Sequence, residues 1–129
     1  MNIASQIFAL LAALLHVFVF CLESLWFMRP RVYRRFGAAT TADAEARRLF
    51  AFNQGFYNLF LAAGGFLGLA LLHSSGREVV GLTLAVFACA CMLSAAVVLF
   101  FSAGRAMFRA AFIQGVLPLL ALGSWLAFR

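Results

Sequence analysis

The segment FNQGFYNLF, residues 52–60, decides how this chain folds. It places Asn53, Gln54, Tyr57 and Asn58 within six positions, yet it sits inside a stretch, residues 49–72, that carries no charged side chain. In a soluble protein such a cluster would mark a surface loop. Here the surrounding apolar run has the length, roughly 20 residues, that crosses the hydrocarbon core of a bilayer. The polar knot therefore reads as intramembrane, where backbone and side-chain polar groups must find partners within the protein.

Working outward, three more apolar stretches of spanning length appear, so the predicted crossings cover about residues 3–28, 49–72, 79–101 and 110–128. Hydrophobic residues make up 66% of the 129 and charged residues only 11%, a balance that excludes an ordinary soluble domain. The expected fold is all-α: a single domain over residues 1–129, built as an up-down bundle of four transmembrane helices. The first span is too long and too poor in basic residues at its start for a cleaved signal peptide, so it reads as a retained helix.

The net charge of +6 is arranged by loop. Arg29, Arg31, Arg34, Arg35, Arg47 and Arg48 fall in or beside the first loop and Arg105 and Arg109 in the third, while Arg77 and Arg129 belong to the other side. Positive charge collects on the cytoplasmic face, which puts both termini outside. The stretch RPRVYRR, residues 29–35, suits anionic lipid headgroups at about 1 kcal/mol per basic residue. That pattern favours a bilayer partner along residues 29–48 over nucleic acid. Ten arginines without a lysine point to a GC-rich bacterial genome and hence a bacterial inner membrane.

Pro30 is expected to stop the first helix, and TTADAE, residues 40–45, to cap the start of the next. HSSG, residues 73–76, and SAGR, residues 102–105, read as tight turns. Trp26 and Trp125 lie near opposite boundaries, as interfacial aromatics do. Cys21, Cys89 and Cys91 fall within spans and read as buried thiols. An echo links AFNQGFYNLF, residues 51–60, to AFIQGVLPLL, residues 111–120. Both a duplicated hairpin and shared packing needs account for it.

At about 100° per residue, Asn53, Tyr57, Gln54 and Asn58 occupy an arc of about 140° on the second span, with Phe52, Phe56, Leu59, Phe60, Ala63, Phe66 and Leu67 opposite, toward lipid. Gly64, Gly65 and Gly68 share the polar arc further along. Gly64 with Gly68 makes a GxxxG pair that admits a close helix neighbour. In the first span His16 and Glu23, seven apart, fall on nearly one line about 10 Å apart. That is too far to ligate one metal ion, and no metal, haem or other cofactor is expected. In the fourth span Gln114 shares a face with Pro118, which strips the Gln114 carbonyl of its helical donor. Ser94 is the third span's modest polar contribution. Gly81, Ala85, Ala88 and Ser94 form a small-residue face that permits a homo-oligomer.

Counting about 1.5 Å of rise per residue from the inner boundary puts Glu23, Asn53 and Gln114 about 6–7 Å deep, Tyr57 and Asn58 about 12–13 Å and His16 about 18 Å. Polar groups from several helices thus meet in one inner-leaflet band. Interhelical hydrogen bonding, worth about 0.6 kcal/mol per pair, is one reading of the amides and the tyrosine, and a ligand site is the other. Glu23 is different, because an ionisable side chain in hydrocarbon costs at least about 2.5 kcal/mol before it is paired.

With HVFVFCLESLW at residues 16–26, NQGFYNLFLAAG at 53–64 and IQGVLP at 113–118, the chain resembles the bacterial and fungal membrane family known as domain of unknown function 1304. The resemblance rests on His16, Leu22, Glu23, Trp26, Asn53, Gln54, Gly55, Tyr57, Asn58, Phe60, Gly64, Gln114, Gly115 and Pro118. Leu119 stands where the family pattern has a small alanine. It implies a four-helix membrane protein and brings no activity with it.

Three functions follow as expectations. The first is a site for a small lipophilic molecule, with Glu23 and His16 as acid and base and Asn53, Gln54, Tyr57, Asn58, Gln114 and Trp26 around the ligand. The second is a proton-coupled transporter or exporter in which Glu23 exchanges a proton for a solute. The third is a structural or accessory subunit whose polar band locks helices together.

Overall fold

The computed structural model describes residues 1–128. Arg129, assigned to the outer side by charge counting, lies outside the described residues. Among the described residues all regular structure is helical. Helix α1 (Ile3–Phe20) continues into a π-turn, Cys21–Leu25; α2 (Pro30–Tyr33) continues into a 3-10 turn; α3 (Thr41–Leu71) and α4 (Glu78–Ala103) follow; and a 3-10 turn, Gly104–Met107, leads into α5 (Phe108–Ala127).

Three continuous helical runs are long and apolar enough to cross a membrane: Ile3–Leu25, Thr41–Leu71 and Glu78–Ala127. The sequence predicts four spans. Here α4 and α5 form one run, because the 3-10 turn carries helical backbone pairing through residues 104–107. That run nevertheless folds back. Gly104 adopts φ 60° and ψ −151°, a conformation that side chains other than glycine's hydrogen effectively forbid. Beyond it α5 lies on α4 so closely that a Cβ added at Gly115 would sit 3.0 Å from the Ala96 Cβ.

Packing runs in a cycle. Helix α1 lies on α3 and α5, α4 also lies on α3 and α5, and contact between α1 and α4 is slight. The interior is built mainly from small residues: Ala12, Ala13 and Ala62 pack around Met92, the largest fully buried side chain, and Ala9, Cys89 and Ala121 form another cluster. Large side chains face outward, with Phe60 61%, Phe87 65% and Phe112 62% exposed. A surface of that kind suits lipid rather than water, since between helices in lipid it is close approach of backbones that supplies the attraction. Gly64 and Gly68 serve that purpose. Their close neighbour is α4, at Ala88 and Ala85 respectively. Gly81, Ala85 and Ala88, expected on a face free for self-association, are buried in this seam, while Ser94 is exposed.

The segment between α1 and α3 is a packed cap. Phe27, Tyr33, Ala38 and Ala44 form their own buried cluster. Pro30 does not terminate the first helix. It occupies the first turn of α2, where its missing N–H costs nothing, and α1 has already ended through the π-turn. Helix α3 begins at Thr41, well before the apolar run at residue 49, because Thr40 and Asp43 form a reciprocal capping box: the Asp43 N–H donates to Thr40 Oγ1 at 3.1 Å and the Thr40 N–H donates to Asp43 Oδ2 at 3.2 Å. Replacing Thr40 by alanine is expected to cost about 1 kcal/mol and to fray the first turn. Hydrogen exchange of the amides at residues 41–44 would then speed up while those at residues 60–70 stay protected.

Candidate functional site

The site begins with the π-turn. The Trp26 N–H donates to the Cys21 carbonyl at 2.9 Å, a five-residue step that widens the end of the first helix. Ser24 Oγ then donates to the Phe52 carbonyl of α3 at 2.9 Å. Glycine opposite leaves room for this bond, since a Cβ at Gly55 would fall onto Ser24 Oγ and lie 3.1 Å from Glu23 Cβ. This close seat brings Glu23, 9% exposed, to Asn58, 4% exposed, and Asn58 Nδ2 donates to Glu23 Oε2 at 2.8 Å. The same Nδ2 also donates to the Gln54 carbonyl at 3.2 Å, which fixes the amide's orientation. Glu23 Oε1 has no protein partner among the described residues.

Glu23 and Asn58 stand in the wall of a cavity of about 680 Å³. Its apolar wall includes Leu15, Phe18, Val19 and Leu22 of α1, Ala95 and Leu99 of α4, and Ile113 of α5. Gln54 and Gln114 add amide groups, and Arg35 and Arg109 line it as well. The volume lies within the roughly 300–1,000 Å³ typical of small-molecule sites. One step further along each helix, Ala12, Ala13, Ala62 and Met92 pack together with Leu117 and fill the interior.

The expected site residues divide. Glu23, Gln54, Asn58 and Gln114 share this one cavity. Asn53 and Tyr57 do not line it; Tyr57 is 60% exposed. The reason lies in the arc itself: the inward direction of α3, marked by the buried Gly55, Asn58, Ala62 and Gly65, falls at the Asn58 edge of the polar arc and leaves its Asn53 edge outside. Of the residues expected opposite, Phe52, Phe60, Ala63 and Leu67 are exposed, whereas Phe56, Leu59 and Phe66 are half-buried. Trp26 is half-buried outside the cavity, with the Arg29 guanidinium 5.2 Å from its ring centre.

His16 is not beside Glu23 in the cavity wall. Both are buried on the inward face of the first helix, but His16 stands two turns further along, next to Ala12 and Ala13, and only Glu23 lines the cavity. His16 is fully buried, its Nδ1–H donating to the Ala12 carbonyl at 2.8 Å, and Nε2 has no partner among the described residues. Sequence reading missed Ser24, whose signal was Gly55 set among large residues. It also took Arg35 and Arg109 as loop charges only; their place in the cavity lining depends on the cap and on the turn before α5.

An all-helical chain with an apolar exterior, a small-residue interior and three runs of spanning length is a helical membrane protein. It belongs to the family described as protein of unknown function (DUF1304), whose model matches residues 10–126. No curated protein and no solved structure matches the chain.

Proposed function

We propose that this is a bacterial inner-membrane protein that crosses the bilayer four times, with both termini outside, and binds a small lipophilic molecule in its cytoplasmic half. The observation that carries the reading is the hydrogen-bonded Glu23–Asn58 pair in the wall of a mostly apolar cavity. A carboxyl group held at that depth by one oxygen leaves the other for a ligand donor. The arginines of residues 29–48 lie against anionic headgroups in this arrangement. The turn at Gly104, with Ala96 facing Gly115, supports separate crossings by α4 and α5.

Binding is placed ahead of acid–base turnover because His16, the second ionisable group, is outside the cavity wall. It is placed ahead of solute export because the filled layer of Ala12, Ala13, Ala62 and Met92 closes the path toward the other end. Ala95→Phe, which fills the cavity from α4, is the test. Gently extracted wild-type protein should carry a lipophilic molecule by native mass spectrometry, and the variant, equally folded, should lose it. Identical spectra from the two proteins would remove the cavity as the binding place.

A further inference from the structure

Resting on the reading of the cavity as a lipophile site, we infer that its ligand is a single-chain anionic amphiphile, with a phosphate or carboxylate head, that enters sideways from the bilayer between α1 and α5. The route follows from two lining residues that are also half exposed: Phe18 of α1 at 48% and Ile113 of α5 at 52%. Large apolar side chains exposed at the cavity lining on both helices are where a lipid chain would pass. At the far end the same two helices are closed, with Asn2 Nδ2 donating to the Ser124 carbonyl at 2.8 Å and the Ser5 and Ser124 hydroxyls 3.0 Å apart. The pair is therefore tied at the end away from the cavity.

The head chemistry follows from charge. Arg35 and Arg109 come from different parts of the chain, both line the cavity and both are exposed. Neither makes an ion pair or hydrogen bond among the described residues, where the salt bridge is Arg48 to Glu45. The cavity's one carboxylate, Glu23, is already held by Asn58. Two unpaired guanidinium groups at the wet rim of an apolar chamber suit an oxyanion, which they hold by charge-assisted hydrogen bonds. The chain then lies along Phe18, Leu22 and Ile113, and a hydroxyl below the head meets Glu23 Oε1. The volume of about 680 Å³ fits one acyl chain with a small head.

Titration of the full chain in detergent with 1-oleoyl lysophosphatidate and with 1-oleoylglycerol, read by native mass spectrometry, separates the head from the chain. The wild type should bind the phosphate-bearing lipid about tenfold more tightly, as expected for strong charge-assisted contacts. Arg35→Gln with Arg109→Gln should abolish that preference while leaving oleoylglycerol binding intact, which also shows that the variant is folded. Inorganic phosphate in excess should not displace the lipid. Equal binding of both lipids by the wild type, or displacement by phosphate alone, would overturn the anionic-amphiphile assignment and leave the lipophile site standing. Binding of neither lipid, or binding unaffected by Ala95→Phe, would overturn both.

Discussion

Gly68→Leu is expected to prevent folding or to lower the unfolding temperature of the detergent-solubilised chain severely. A Cβ at residue 68 would meet the Ala85 backbone N and lie 2.9 Å from the Ala85 Cα. Backbone in the middle of a helix cannot swing aside as the tip of a side chain can. The two helices must separate, and all the small-residue contacts of the α3–α4 seam go with them. Overpacking a well-filled core typically costs about 1–3 kcal/mol, and a clash with backbone belongs at or beyond the upper end of that range. Gly123→Ala is the control. Nothing lies within 4 Å of a Cβ there, and replacing a mid-helix glycine by alanine stabilises by up to about 1 kcal/mol. If thermal unfolding in one detergent ranks the two variants alike, the close approach of α3 and α4 is wrong.

The second large effect belongs to Asn58→Leu. Its amide is the protein donor to a carboxyl group with 9% exposure, so its removal leaves Glu23 buried without a protein hydrogen bond. An average interhelical hydrogen bond in a membrane protein is worth about 0.6 kcal/mol. Stranding a buried polar group costs more, about 1–3 kcal/mol, and this desolvation cost governs the outcome. Removing both partners, as in Glu23→Leu with Asn58→Leu, should therefore recover part of the loss, because two apolar groups leave no unmet demand. A double-mutant cycle on unfolding free energies measures this directly. A strictly additive cycle would mean that Glu23 and Asn58 contribute independently and that their contact carries no weight.

The helical class and the apolar runs are legible in composition and run length alone, because lipid admits only a few ways to satisfy a backbone. The capping of α3 is legible for a similar reason: Thr40 and Asp43 act within a single turn. The sharing of one chamber by Glu23, Asn58 and Gln114 was within reach of depth counting, since rise per residue is nearly constant. Angle alone does not settle which buried residue reaches the cavity. An ideal 100° step places His16 in line with Glu23 and both are buried, but whether such a position opens on the cavity depends on how the neighbouring helices fill the space beside it.

The arc on α3 makes the same point. Its polar edge is written in the chain, yet which portion faces inward depends on where α1 and α4 press against it, at Gly55 and Gly68. Arg35 and Arg109 stand at the limit of what linear reading reaches. Their charge is evident from residue type, but their place in the lining of one cavity required the cap between α1 and α3 and the reversal at Gly104. Local rules of length, polarity and capping act along a few residues of chain, whereas facing direction and convergence are set by contacts between helices far apart in sequence.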